Sequence, residues 1–132
     1  MTAQQSEVMA AAAKIVANFG AHDKAAYFSN FSEDATFIFY THGERLGSRA
    51  DYQSLWDVWE TEDGFRVHGC LSTNQLVQLI SPVFAIFTHD VESKVEMAGE
   101  TSTVFEKETI VFEKQDSGWI AVHEHLSPAS GS

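Results

Sequence analysis

From Phe65 to the end of the chain no helical period appears, and three or four long strands are predicted instead. They cover residues 65–80, 83–95, 101–114 and 119–127, with a bulge expected near Ser72. The last two strands are joined by a turn of Gln, Asp, Ser and Gly, which is typical of a hairpin. The second half of the chain therefore predicts a meander of antiparallel strands.

The first half of the chain is mainly helical in its pattern. A helix over residues 6–20 has apolar residues at four-three-four spacing, and a shorter helix follows over residues 22–31. After a strand over residues 35–40, a third helix begins at Ser48, where an acid three residues on completes a capping box, and ends at Gly64. Helices followed by a strand meander predict an α+β fold, with the helices covering one face of the sheet.

Length and charge limit the classes of function. The chain has 132 residues and a formal net charge of −11, and we expect a single domain over residues 1–128 with a tail over 129–132. Because no basic run exists, neither nucleic acid nor an anionic membrane surface is expected as a partner. The chain shows no signal sequence and no apolar run that could span a membrane, so we expect a cytoplasmic protein.

The closing hairpin carries a distinctive set of residues. Glu108 and Thr109 are followed by Phe112, and the last strand reads Trp-x-x-Val-His-x-His-x-Ser from Trp119 to Ser127. Together with the order of elements, this pattern resembles the SnoaL-like branch of the nuclear-transport-factor-2-like superfamily, and most of all the association domain of calcium/calmodulin-dependent kinase II. The resemblance implies a cone, in which a strongly curved antiparallel sheet wraps on three N-terminal helices. It also implies a cavity at the open end and dimers formed through the sheets.

Strict alternation assigns the side chains of the last strand to two faces. One face carries Trp119, Ala121, His123 and His125, and the other carries Ile120, Val122, Glu124 and Leu126. By comparison with the family, the second face lines the cavity and the first faces a homodimer partner. The same comparison and the aromatic content predict further cavity residues, namely Ile15, Phe19, Phe39, Trp56, Trp59, Asp90 and Ile110.

The chain differs from the family at the positions that carry the family's known activities. Steroid isomerases of the superfamily carry a tyrosine where this chain has Ile15, and a catalytic acid where it has Phe39; their second acid falls near Thr109 or Ile110. The pocket arginines of the association domain are replaced by Asp90, Ile110 and Leu126. The resemblance therefore implies neither that isomerisation nor a carboxylate ligand, and the pocket is expected to be apolar and acidic.

Asp90 and Glu124 are the candidate catalytic residues. If both face an aromatic cavity, burial raises their pKa values, and a carboxylic acid beside a carboxylate can act as an acid-base pair. The alternative is structural: Asp90 at a wet rim, and Glu124 hydrogen-bonded to a strand neighbour or a helix end. The aromatic side chains also have two interpretations: they form a packed core, or they line a small-molecule cavity with few polar groups.

Other candidate chemistry is weaker. His123 and His125 have the spacing of strand metal ligands, but a third ligand is needed, and histidines packed at an interface explain the pair without metal. Cys70 is read as a half-buried strand residue rather than a catalytic thiol. Since no phosphate-binding glycine loop, nucleophile motif or metal constellation occurs, neither a cofactor nor a metal is expected.

Two functions remain open at this point. The first is a binding domain for a small apolar molecule that carries out a proton transfer, cyclisation or hydration without a cofactor. The second is an assembly module that has no catalytic role and forms a homodimer or larger ring through the face with Trp119, His123 and His125.

Overall fold

The computed structural model describes residues 1–130. Within them the helices are α1 (Ala3–Gly20), α2 (Lys24–Phe28) and α3 (Arg49–Asp63). The strands are β1 (Phe31–Phe39), β2 (Arg66–Ser81), β3 (Phe84–Met97), β4 (Glu100–Gln115) and β5 (Gly118–Pro128). The predicted α+β fold with a curved sheet is confirmed, and the sheet is unclosed and mostly antiparallel.

The strands form one sheet in the order β1-β5-β4-β3-β2. The meander from β2 to β5 is antiparallel, and β1 is added in parallel beside β5. The β3–β4 turn contains Ala98 and Gly99, both with positive φ, as a tight two-residue hairpin requires. Of the tail predicted for residues 129–132, the last two residues lie outside the described range. Ala129 donates its N–H to the carbonyl of Phe105 at 3.0 Å.

Local sequence signals explain where the longer helices begin and end. Thr2 caps α1 through a capping box with Gln5, and Ser48 caps α3 by accepting from the N–H of Asp51 at 3.1 Å. Gly64 ends α3 in the left-handed conformation that glycine favours, at φ 62°. Both helices are therefore defined by side chains close to them in sequence.

Gly20 has a packing role. Its φ is not positive, and a Cβ there would lie 3.0 Å from the backbone nitrogen of Cys70. The absence of a side chain lets the end of α1 approach β2 closely, which fixes one wall of the space between the helices and the sheet.

The core lies between the helices and the concave face of the sheet. Its largest fully buried side chains include Trp56 of α3 and five phenylalanines from α2 and the sheet: Phe28, Phe31, Phe37, Phe87 and Phe112. This aromatic core fills the base of the cone and supports a cavity above it. None of the described helices is both long and apolar enough to cross a membrane.

Candidate functional site

Two adjoining chambers open on the concave side of the sheet. The inner chamber has a volume of about 50 Å³ and the outer chamber about 350 Å³. The two chambers adjoin, because they share five lining residues: Phe19, Tyr52, Ser93, Glu106 and Leu126. The inner one carries most of the ionisable groups, whereas the outer one is lined mainly by aromatic and aliphatic side chains. A small polar group attached to an apolar body matches this division.

Glu124 lies on β5 and lines the inner chamber, as the alternation predicts. It is 3% exposed, and its Oε1 has no hydrogen-bond partner among the residues that the structure describes. Its carboxyl group shares the inner chamber with that of Glu108, because Glu124 pairs with Ile110 on β4, two residues from Glu108. An unpartnered buried oxygen is costly unless a ligand or a proton satisfies it.

Burial and the neighbouring acid determine the charge of this pair. Desolvation, followed by the negative charge of Glu108, raises the pKa of Glu124 well above its ordinary value of 4.5. Desolvation also raises the pKa of Glu108, but the hydrogen bond from Glu124 opposes that rise. The pair therefore shares one proton, which Glu124 holds and Glu108 accepts.

Glu108 also contacts the ring of His89. Its Nε2 lies 2.6 Å from Oε1 of Glu108, and its Nδ1 lies 2.5 Å from the hydroxyl oxygen of Ser72. That oxygen also accepts a hydrogen bond from the side-chain amide of Gln75 at 2.9 Å, so the Ser72 hydroxyl is free to donate to Nδ1. Burial lowers the pKa of His89 to about 4, which makes the ring neutral near pH 7. The neutral ring then donates from Nε2 to Glu108.

Two buried tyrosines from the helices complete the polar cluster. The hydroxyl oxygens of Tyr27 on α2 and Tyr52 on α3 lie 3.0 Å apart. Desolvation is the main reason that both pKa values are raised well above the ordinary value of 10.0, so both phenols stay protonated. One hydroxyl satisfies the other, which leaves one phenolic O–H of the pair to donate to a further group.

Asp90 is not part of this cluster, and the prediction that it faces the cavity is wrong. Buried side chains alternate on β3 through His89 and Val91, which turns Asp90 to the convex face. There Asp90 accepts a hydrogen bond from Lys107 at 2.9 Å, and this bond is the main reason that its pKa is lowered.

The bulge in β5 corrects the predicted faces of the last strand. Val111 pairs with His123, and Phe112 pairs with Ala121, so Val122 is an extra residue between them. Strict alternation is therefore wrong for the first part of the strand: Ala121 is fully buried, and Trp119 packs against the core and bonds to Glu7 of α1 at 3.2 Å. Trp119 consequently lies on the face opposite His123 and His125.

The two histidines keep their predicted outward position. His123 shares a hydrogen bond of 2.8 Å with Thr36, and its ring centroid lies 6.2 Å from that of His125. Desolvation, with a smaller effect of His125, lowers the pKa of His123. Among residues 1–130, no three His, Cys, Asp or Glu side chains are grouped so that they could hold a metal ion.

The predicted apolar lining divides into two groups. Ile15 lines the inner chamber, Phe39 and Trp59 line the outer one, and Phe19 and Leu126 line both. Trp56 and Ile110 are 0% exposed and belong to the core instead, so their placement in the lining is wrong. Aromatic rings from the helices surround Trp56, and Ile110 lies deeper on β4 than Glu108.

Sequence reasoning missed the roles of His89, Glu108, Tyr27 and Tyr52. A signal for His89 exists in the alternation Phe87-His89-Val91, which places a histidine among inward apolar residues. Tyrosines on the apolar faces of two helices were a second signal, since a buried hydroxyl needs a partner. Glu108 had no signal of this kind, because its contact with Glu124 depends on the register of β4 and β5.

Comparison with known proteins identifies the family. Residues 8–131 match the model of the SnoaL-like domain, and the chain belongs to this family, within the nuclear-transport-factor-2-like fold. No curated protein matches the chain.

Several solved structures share the fold at low sequence identity. A protein of unknown function from Prochlorococcus is 16% identical with a TM-score of 0.79, covering 100% of this chain and 97% of its own. A ketosteroid isomerase-like protein from Erwinia carotovora is 15% identical with a TM-score of 0.79, covering 99% and 100%. A calcium/calmodulin-dependent kinase II hub homology domain from Chlamydomonas reinhardtii is 20% identical with a TM-score of 0.75, covering 98% and 100%. These likenesses establish the fold, not an activity.

Proposed function

We propose that the chain binds a small, largely apolar molecule in its concave cavity and exchanges a proton with it through Glu124. The observation that carries the proposal is the buried, unpartnered Oε1 of Glu124 at the inner chamber. A polar group of the ligand satisfies this oxygen, while the ligand's apolar body fills the outer chamber. Binding then removes the cost of the unsatisfied atom.

The cluster has the parts that simple proton-transfer chemistry needs. Glu124 is a neutral acid, Glu108 is its ionised neighbour, and the free phenolic O–H of the tyrosine pair can stabilise negative charge on an oxygen of the ligand. These groups support a proton transfer, cyclisation or hydration without a cofactor. The chain therefore has acids and phenols in its cavity, but at positions other than those of the isomerases.

A thermal-shift screen of small apolar molecules with one polar group tests binding. A ligand present at about 100 times its dissociation constant stabilises the folded protein by about 2.7 kcal/mol. Glu124→Gln is expected to weaken a hit at least about ten-fold, because loss of one charged or buried hydrogen-bond partner costs about 1.5–3 kcal/mol.

Asp90→Asn is the matched control for this screen. It removes a carboxylate on the same sheet but on the convex face, so ligand affinity is expected to stay unchanged. If no molecule stabilises the protein, or if both variants weaken binding equally, the proposal is refuted.

A second function, self-association, is supported by apolar side chains on the convex face. Ile38, Leu71, Leu76 and Phe84 are 36% to 56% exposed there. Exposed apolar side chains on one sheet face are typical of a surface that another protein covers. A hub homology domain is among the similar structures, which supports self-association through this fold. We therefore propose a homodimer through the convex face near His123 and His125, without Trp119.

Light scattering tests this surface. The double change His123→Glu and His125→Glu places two acids on the proposed contact and is expected to convert a dimer to a monomer at micromolar concentration. The control Gln115→Glu with Ser117→Glu adds the same charge at the exposed β4–β5 turn and is expected to leave the dimer intact. A monomeric wild-type protein, or a dimer that the histidine changes leave unaltered, contradicts the proposed surface.

A further inference from the structure

We propose that the inner chamber binds a primary ammonium group between the carboxyl groups of Glu124 and Glu108. This inference rests on the proposed binding of a small molecule, not on a proton transfer to that molecule, and it names the class of ligand. The ligand is an amine whose apolar body, an aryl or branched alkyl group, occupies the outer chamber.

The first argument is charge. The elements around the inner chamber differ in the titratable groups that they contribute. Helix α1 contributes none; the others contribute Tyr27, Tyr52, Cys70, His89, Glu106, Glu108 and Glu124. Carboxyl groups are thus the most numerous ionisable type, and among residues 1–130 neither lysine nor arginine lines either chamber. An anionic ligand would meet no countercharge, whereas a cation would meet three acids.

The second argument is hydrogen bonding. Oε1 of Glu124 is an acceptor without a donor, buried in the chamber wall. An ammonium group has three donors and no acceptor, so it can satisfy Oε1 and still reach a second carboxylate. The neutral ring of His89 and the paired tyrosines cannot supply that charge. Two buried carboxylates repel each other, and a cation between them offsets that repulsion.

The third argument is size. The inner chamber, at about 50 Å³, is much smaller than the outer chamber, at about 350 Å³. The inner chamber therefore suits a small polar group such as an ammonium group. The wider outer chamber, lined by Phe39, Trp59, Phe65 and Val95, accepts the apolar part of the molecule.

Binding is an exchange of cations. The protonated amine enters, its N–H groups bond to Glu124 and Glu108, and the carboxyl proton of Glu124 leaves to solvent. No covalent bond of the ligand is broken, and the net charge of the occupied site equals that of the empty one. One proton is therefore released for each amine bound, and affinity rises with pH while Glu124 remains protonated in the free protein.

Isothermal titration calorimetry of the full chain with three matched probes tests the inference. The probes are 2-phenylethylamine, 2-phenylethanol and phenylacetate, each measured near neutral pH in two buffers that differ in their heat of ionisation. We expect the amine to bind at least ten-fold tighter than the alcohol, with release of about one proton, and phenylacetate not to bind. The proton count uses the unaltered protein, so it does not depend on a variant that folds.

Variants separate the acid pair from general negative charge. Glu124→Gln is expected to abolish proton release and to remove the preference for the amine. Its fold is expected to persist, because Glu124 is already neutral there. Asp90→Asn removes one acid on the convex face and is expected to keep both properties.

The outcomes distinguish the two proposals. If the alcohol binds as tightly as the amine, or if the amine binds without releasing a proton, the ammonium assignment is overturned while small-molecule binding stands. If none of the three probes binds and the wider screen of small apolar molecules yields no ligand, both proposals fall together. If phenylacetate alone binds, the acidic character of the site itself is contradicted.

Discussion

Replacing Trp56 with alanine is expected to lower the free energy of unfolding by about 3–5 kcal/mol, a large part of the stability of a domain of this size. The Trp56 side chain is fully buried in the middle of the aromatic core. Its ring centroid lies 5.0 Å from that of Phe65 and 5.5 Å from those of Tyr27 and Phe28. Truncation leaves a cavity that the surrounding rings, held by both helices and sheet, cannot collapse to fill.

Urea unfolding near neutral pH measures this loss. The control on the same helix is Val58→Ala, because Val58 is 44% exposed and its truncation is expected to change stability by less than about 0.5 kcal/mol. Trp59→Ala is expected to fall between the two, since Trp59 lines the outer chamber and is only partly buried. A Trp56→Ala loss below about 1 kcal/mol would show that the aromatic cluster does not support the base of the cone.

The fold was predictable because local signals agreed with the long-range plan. Ser48 and Gly64 mark the two ends of α3 in the sequence, and the structure has the helix between them. The strand patterns after Phe65 match β2 to β5 within a few residues. The break predicted between α2 and β1 was less accurate. The acids Glu33 and Asp34 are exposed within a strand that already begins at Phe31, and they lie where the register with β5 shifts between Phe31 and Thr36.

The site was only partly predictable because it depends on register. Glu124 was assigned correctly although the alternation failed at Trp119, since the extra residue Val122 lies before Glu124 and after Trp119. A bulge of one residue has no reliable signal in the sequence, yet it inverts every side chain on one side of it. The comparison with the family placed Asp90 in the cavity, whereas the alternation on β3 itself favours His89. The local pattern was the better guide.

The second large effect concerns pH, and two buried groups act in opposite directions. Glu124 holds its proton in the folded state at pH values where the unfolded chain, with an ordinary pKa of 4.5, has lost it. Its stabilising contribution is therefore complete at low pH and is lost as pH rises toward the raised folded pKa. His89 has its pKa lowered from 6.5 to about 4, so its contribution appears as pH rises between those values.

These windows overlap between about pH 4.5 and 6.5, where the two contributions largely cancel. Above 6.5 the contribution of His89 is complete, and the shared acid proton dominates. The free energy of unfolding is then expected to fall by up to about 1.4 kcal/mol per pH unit for one retained proton. The raised pKa of Glu106, which is due to burial, acts in the same direction. Cys70 acts only above its ordinary value of 9.0, because burial raises its pKa to about 11.

Urea unfolding at several pH values between about 6.5 and 8.5 measures this slope without interference from His89 or Cys70. Glu124→Gln is expected to flatten the slope and to make the protein more stable than the wild type at the upper limit. The amide does not titrate, and it donates to Glu108 as the protonated carboxyl does. Glu92→Gln, at an exposed position on β3, is the control and is expected to keep the wild-type slope. A wild-type stability that stays level or rises across this range would mean that Glu124 is ionised when folded. The acid could not then hold the proton that the proposed chemistry and the ammonium exchange both use.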